Sequence, residues 1–199
     1  MIGGILLAAG QSTRMGRNKL LLPHLGYPLA AHALSALAAS KVSPVICVLG
    51  WEADTLREAL GQAKGAQRVR YVLNEGYTEG RASSIRKGLE ALPPHCEAAL
   101  FLPADLPMVT AEDIDRVVEE YERTRAPVVV VTDPGGKRTH PVLFAKSFFP
   151  KLMALKGDRG GRDLILLHWE SAAKVIRTGP NVFDVDTPED YQRLVEMMS

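Results

Sequence analysis

The sequence predicts an α/β fold: a single Rossmann-like, three-layer domain with a mostly parallel sheet, helices on both faces and a late antiparallel hairpin excursion. Three observations carry that prediction. Short β-rich apolar runs alternate with helical patterns through the first two thirds of the chain. Those runs are apolar throughout and do not alternate with polar residues, so both sheet faces need cover. Prolines, glycines and capping residues mark the boundaries between them.

Ile2–Ala8 reads as the first strand. Residues 28–39 form an Ala/Leu-rich helix with Pro28 in its first turn, where a missing N–H costs nothing. Residues 44–49 are a second strand and 52–60 a second helix. Val69–Leu73 is a third strand, followed by a helix over 83–92 that Pro93 and Pro94 end. Residues 98–102 make a fourth strand. Thr110, with Glu112 and Asp113 behind it, caps a helix expected to reach about Arg123. Val128–Thr132, a turn at Asp133-Pro-Gly-Gly136 and residues 141–144 read as the hairpin excursion. Two short helices at 146–154 and 162–168 follow, then short strands at 174–176 and 182–185. Thr187-Pro-Glu-Asp190 opens a final helix. There is no internal repeat.

Composition narrows the function classes. The 199 residues fit one domain. A net charge of +1 offers no bulk field for nucleic acid or an anionic membrane, so basic chemistry must be local. Cys47 and Cys96 lack metal-ligand spacing and are too few for a disulfide framework, which suggests a reducing, cytoplasmic setting. The first apolar run is too short to span a bilayer and has no basic region before it, unlike a signal peptide.

The densest chemistry lies just after the first strand, in Ala8-Ala-Gly-Gln-Ser-Thr-Arg-Met-Gly-Arg-Asn-Lys19. Ligands of open parallel sheets bind beyond the carboxyl ends of strands. Ala8, Ala9 and Gly10 leave room for a base and phosphate oxygens, while Arg14 and Lys19 supply charge where pyrophosphate would leave. Five residues separate Gly10 from Gly16 and Lys19 does not follow a glycine, so this is not a Walker A loop, nor is it G-x-G-x-x-G. The plain alternative is a tight turn with solvated basic residues.

Asp105 stands just past an apolar strand, between Pro103 and Pro107. A carboxylate held there suits a Mg²⁺ bridging nucleotide phosphates, although Asp-Leu-Pro is also ordinary turn chemistry. Asp184 and Asp186 end a late strand and are expected to face opposite ways. One of them, with Asp186 favoured, would complete a two-carboxylate metal site with Asp105, unless Thr187–Asp190 is only a helix cap. Asn74 and the hydroxyls of Ser83 and Ser84 open the third helix, where free N–H groups suit an anion or a base edge. His140-Pro141 and the glycine-rich basic stretch Leu155–Arg162 could close over an acceptor, with Arg162 the better anion clamp.

Together these segments resemble the nucleotidyltransferases that activate molybdopterin. The loop is similar to their L-A-[AG]-G-x-S-x-R-M-G-x-x-K signature, Asp105 matches their metal aspartate, and Thr187–Asp190 matches their helix-opening T-P-E-D. Ala9, His140-Pro-Val-Leu-Phe144 and Gly157-Asp-x-Gly-Gly-Arg162 resemble the cytidylyltransferase branch. Thr139 departs from the glycine usual before His-Pro, and Pro103-Ala-Asp105 from the commoner Gly-Asp. The same loop also resembles that of sugar-phosphate and isoprenoid-precursor nucleotidyltransferases.

The resemblance implies Mg²⁺-dependent transfer of CMP from CTP to the terminal phosphate of molybdenum-bound molybdopterin, with Mn²⁺ as a substitute metal. Asp105 and Asp186 would hold the metal, and Arg14 and Lys19 would stabilise pyrophosphate. Leu7, Ala8, Ala9, Gly10, Ser12, Asn74 and Ser84 would meet the nucleotide, and His140, Asp158 and Arg162 the acceptor. Residues 1–110 would be mainly nucleotide-binding and 128–170 mainly acceptor-binding. Transient contact with a recipient molybdoenzyme and a monomer or weak homo-oligomer are expected. Competing readings are a guanylyltransferase, a non-catalytic nucleotide-binding accessory protein, and a dinucleotide-dependent oxidoreductase.

Overall fold

The computed structural model describes residues 1–177 and 183–197. Strand β1 (Ile2–Ala8) leads through a loop to a two-stranded antiparallel pair, β2 (Pro23–His24) and β3 (Tyr27–Pro28), and then helix α1 (Leu29–Ala39). β4 (Val45–Leu49), α2 (Ala53–Leu60), β5 (Val69–Leu73), α3 (Arg81–Glu90), β6 (Ala98–Pro103) and α4 (Ala111–Thr124) continue the alternation. β7 (Val128–Thr132), β8 (Arg138–Ala145), α5 (Phe149–Met153), α6 (Arg162–Leu167), β9 (Ala173–Ile176) and α7 (Pro188–Met197) complete it.

The described residues build a seven-stranded sheet in the order β5-β4-β1-β6-β8-β7-β9. β5, β4, β1 and β6 pair in parallel, as do β7 and β9, while β8 runs antiparallel to both its neighbours. Side chains alternate across β1. Leu6 and Ala8 pack with Leu34 and Leu37 of α1, Leu56 of α2 and Ile114 of α4. Ile5 packs on the opposite face with Ile85 of α3, Leu152 of α5 and Ile165 of α6. The continuous apolar runs are therefore explained by helices on both faces.

The expected antiparallel hairpin is present as β7 and β8. β8 lies inside the sheet between β6 and β7, with Leu100 opposite Leu143 and Val129 opposite Leu143 on its two sides. Val142, Leu143 and Phe144 are buried, and a central position covers them on both faces. The register slips between Val130, paired with Val142, and Val131, paired with Thr139, so His140 and Pro141 bulge out of the β7 ladder.

Other boundaries moved modestly. The third helix starts at Arg81, before the expected Ser83, because Gly80 supplies the turn into it with φ 102°. Thr110 and Asp113 form the reciprocal cap expected for α4. The strand expected at 182–185 begins outside the described residues, and 183–186 carry no strand pairing. No helix among the described residues is long and apolar enough to cross a membrane.

Candidate functional site

A cavity of about 520 Å³ opens beyond the carboxyl ends of β1 and β6. Its first wall is the loop after β1. Ser12 takes a left-handed conformation (φ 51°) and its Oγ accepts a hydrogen bond from the Lys19 amide at 3.2 Å. The loop is thereby closed on itself, and Lys19 is delivered at the start of a short 3-10 turn capped by Asn18. A Cβ added to Gly10 would meet no atom within 4 Å, so open space stands in front of this backbone. Behind it the fit is close: a Cβ on Gly50 would lie 2.7 Å from the Cβ of Ala9 and of Tyr77.

Lys19 organises the floor. Its Nζ donates to Asp105 Oδ2 at 2.5 Å and to Asp186 Oδ1 at 2.6 Å. Arg14 donates to the other oxygen of Asp186 at 2.6 Å. The three central side chains are 12%, 17% and 24% exposed for Lys19, Asp105 and Asp186. Asp105 reaches this point because its loop is tied to β1, Ala104 N donating to Leu7 O, and to the segment before α7, Val185 N donating to Asp105 O. Asp186 is fixed by the cap of α7, where its amide donates to Asp190 and Thr187 and Asp190 bond reciprocally. The helix cap and the site carboxylate are therefore parts of one local structure.

Burial alone would raise the Asp186 carboxyl, but Lys19 and Arg14 overcome that and hold it below its ordinary value. Burial would likewise lower Lys19, yet Asp105 and Asp186 outweigh it and its pKa is raised. Asp184 shifts the other way. Desolvation in the cavity, then the neighbouring Asp105 and Asp186, raise its carboxyl.

Asp184 and Asp186, expected to face apart, both line the cavity. Residues two apart on an extended segment share a side, and the buried residue between them, Val185, turns away to pack with Leu29 and Leu194.

The residues fit a divalent cation. Asp105 Oδ1 is buried without a hydrogen-bond partner, a free carboxylate oxygen beside a second carboxylate. No cluster of three or more His, Cys, Asp or Glu suited to a metal occurs among the described residues. Two carboxylates completed by phosphate oxygens and water match the habit of Mg²⁺ at nucleotide sites.

Three arginines, Arg81, Arg138 and Arg162, also line the cavity, together with His140 and Asp158. The register slip turns His140 off the ladder, and its Nδ1 is enclosed without a partner. Burial, with the charges of Arg138 and Arg81, pushes its imidazole down to about 3, so it is neutral at physiological pH. Arg138 and Arg81 carried no assignment from the sequence. Arg138 lies two residues before His140 on one strand, a spacing that places both on one face.

Of the residues expected at the site, Leu7, Ala9, Gly10, Ser12, Arg14, Lys19, Ser84, Asp105, His140, Asp158, Arg162 and Asp186 line this cavity. Ala8 does not. Alternation along β1 sends its side chain into the opposite core, where it is 1% exposed. Asn74 is buried and donates to Ser83 Oγ at 2.8 Å and Ser84 Oγ at 3.0 Å, bracing the start of α3 behind the cavity wall.

Known proteins share this chain's fold and much of its length. The purine catabolism protein PucB of Bacillus subtilis (strain 168) is 28% identical over 205 residues, covering 98% of this chain and 97% of its own. The crystal structure of Rv0371c from Mycobacterium tuberculosis H37Rv superposes with a TM-score of 0.85 at 28% identity, covering 98% of this chain and 97% of that one. A manganese complex of Rv0371c from the same organism gives a TM-score of 0.80 at 26% identity, with 98% of each chain covered. Residues 4–173 match the MobA-like NTP transferase domain, and the chain belongs to that nucleotidyltransferase family.

Proposed function

We propose that the protein transfers CMP from CTP to the terminal phosphate of molybdenum-bound molybdopterin, releasing pyrophosphate. The observation that carries this reading is the Lys19 ammonium seated between Asp105 and Asp186 in a cavity that Arg138, His140 and Arg162 also line. A pair of acids and a pair of cations at the same spot suit a metal-bound triphosphate. The further arginines lining the cavity suit a second anionic substrate. On this reading residues 1–110 form mainly the nucleotide half and 128–170 mainly the acceptor half of one domain.

Lys19 and Arg14 exchange their carboxylate partners for phosphate oxygens when the nucleotide enters, which frees Asp105 and Asp186. A divalent cation held by those two carboxylates, Mg²⁺ or Mn²⁺, would neutralise phosphate charge and make the α-phosphorus more electrophilic. The manganese complex of Rv0371c supports a divalent ion in this fold.

The backbone of residues 7–10 and the space before Gly10 accommodate the base and phosphates. Arg162 and the neutral His140 orient the acceptor. An acceptor phosphate oxygen forms a bond to the α-phosphorus as the bond to the β-phosphate oxygen breaks, and pyrophosphate leaves with that electron pair beside Lys19 and Arg14. An ionised phosphate nucleophile needs no general base, so catalysis is positioning and charge stabilisation. Ala9 supports CTP over GTP, because the resembled guanylyl branch has glycine there.

The test is Mg²⁺-dependent pyrophosphate release with CTP, GTP or ATP, each with and without molybdenum-bound molybdopterin. Release only with CTP and the pterin is expected. Preference for GTP would assign the guanylyl branch. Equal release with a sugar phosphate would overturn the acceptor, and CTP-induced thermal stabilisation without pterin-dependent release would mark a non-catalytic nucleotide binder.

A further inference from the structure

The segment that carries Asp158 is clasped to α3 by hydrogen bonds from Ala82 and Arg86, neither of which lines the cavity. Ala82 and Arg86 lie four residues apart and therefore on one face of that helix. Ala82 N donates to Gly157 O at 3.0 Å, and the Arg86 guanidinium donates to Leu155 O at 2.6 Å. Gly80, at φ 102°, makes the approach possible: a Cβ there would sit 2.4 Å from the Gly157 carbonyl carbon. The other end of the segment is pinned by Gly161, where a Cβ would lie 2.7 Å from Phe144 Cζ on β8. Only residues 158–160 span between these two anchors, and Asp158 and Gly160 line the cavity.

The same first turn of α3 serves the other half of the site. Ser84 lines the cavity and is braced, with Ser83, by Asn74, whose amide is tied to Leu49 O at the end of β4. Arg86 itself is absent from the cavity lining. It is partly buried, and Glu79 lies 3.4 Å from it as a counter-charge.

We propose that Arg86 is a positioning residue: through Leu155 it fixes segment 155–161 against α3 and so sets the acceptor wall of the cavity without touching either substrate. The acceptor half of this statement rests on the proposed function. The clasp does not.

The test compares wild type with Arg86→Met, Arg86→Lys and Gly80→Ala. For Arg86→Met, the acceptor KM with molybdenum-bound molybdopterin should rise about tenfold, the scale of one charge-assisted hydrogen bond. CTP affinity, measured by calorimetry with Mg²⁺, should stay within about twofold, with kcat little changed. Arg86→Lys, which keeps a donor for Leu155 O, should recover much of the loss, whereas Gly80→Ala should match or exceed Arg86→Met.

Amide hydrogen exchange should rise across 154–161 and at Ala82 in Arg86→Met, while the peptide containing β1 is unchanged. An unchanged exchange pattern in 154–161 overturns the proposal, as does an equal loss of CTP affinity and acceptor KM. A wild-type protein that ignores molybdopterin would count against the proposed function alone, and the exchange data would still decide the clasp.

Discussion

Replacing Lys19 with methionine removes the ammonium lodged between Asp105 and Asp186 and leaves two carboxylates facing each other. An exposed pair would be worth about 1 kcal/mol or less, whereas breaking a buried one costs about 3–5 kcal/mol. Exposures of 12%, 17% and 24% put this site near the buried end, while the open cavity lets water screen it. We therefore expect a loss of about 3 kcal/mol at neutral pH, or a Tm fall of about 6–12 °C for a chain of this size.

The pH dependence fixes the cause. Asp186 has a folded pKa below its ordinary value, so its contribution is present above the unfolded carboxylate value and is lost as pH falls through the folded one. Lys19 has a folded pKa above its ordinary value, so its share is present below that and is lost only in strong alkali. The gap between wild type and variant should thus be full from about pH 5 to 9 and should close as pH falls below about 4. Added Mn²⁺ should raise the Tm of the variant more than that of wild type, because the cation takes the ammonium's place. Calorimetric unfolding across that range is the assay. A gap that does not depend on pH, or a variant as stable as wild type at pH 7, would refute the reasoning.

Three further outcomes follow from particular contacts. Asp105→Asn should lower turnover on the order of 10²–10³-fold, with a smaller Tm fall than Lys19→Met because Asp186 still pairs with Lys19, and a weakened response to Mn²⁺, checked by pyrophosphate release, calorimetry and metal titration. His140→Gln should flatten the acid limb of stability: folding holds the imidazole at about 3 while the unfolded chain titrates near the ordinary histidine value of 6.5, so wild type loses stability as pH falls through that window. Tm measured from about pH 7 to 4 tests it, and identical slopes would contradict the burial of His140. Gly50→Ala should cost about 1–3 kcal/mol and weaken CTP binding, because the new Cβ would crowd Ala9 and Tyr77 at 2.7 Å; chemical denaturation and nucleotide titration read both effects.

The elements that sequence reasoning found are those whose local chemistry and tertiary setting agree. β1, β4 and β6 are apolar on both sides because helices cover both sides, and α4 announces itself through the Thr110–Asp113 cap. The β2–β3 pair escaped notice because two-residue strands show no alternation. Its turn is signalled only by Gly26, which with Leu25 takes positive φ values of 84° and 48°.

The place of β8 between β6 and β7 was not legible either. Strand order depends on long-range packing, and the run at 141–144 is equally consistent with an outlying hairpin. At the site, residues tied to a strand end or a motif, such as Lys19 and Asp105, could be read directly. Ala8 and Asn74 could not be separated from their neighbours, because only the pleat of β1 and the hydroxyls of Ser83 and Ser84 decide which way they point. Arg81 and Arg138 have no motif of their own, and the cavity reveals them only after α3 and β8 are set side by side around it.

The central claim is that this cavity joins a nucleoside monophosphate to an acceptor phosphate. The most direct measurement incubates the protein and Mg²⁺ with molybdenum-bound molybdopterin and CTP labelled at either the α- or the γ-phosphorus. The account predicts α-label in a new pterin dinucleotide and γ-label only in pyrophosphate, with both products lost in Lys19→Met. Label that remains in CTP, or α-label released as free CMP with no pterin product, would contradict it.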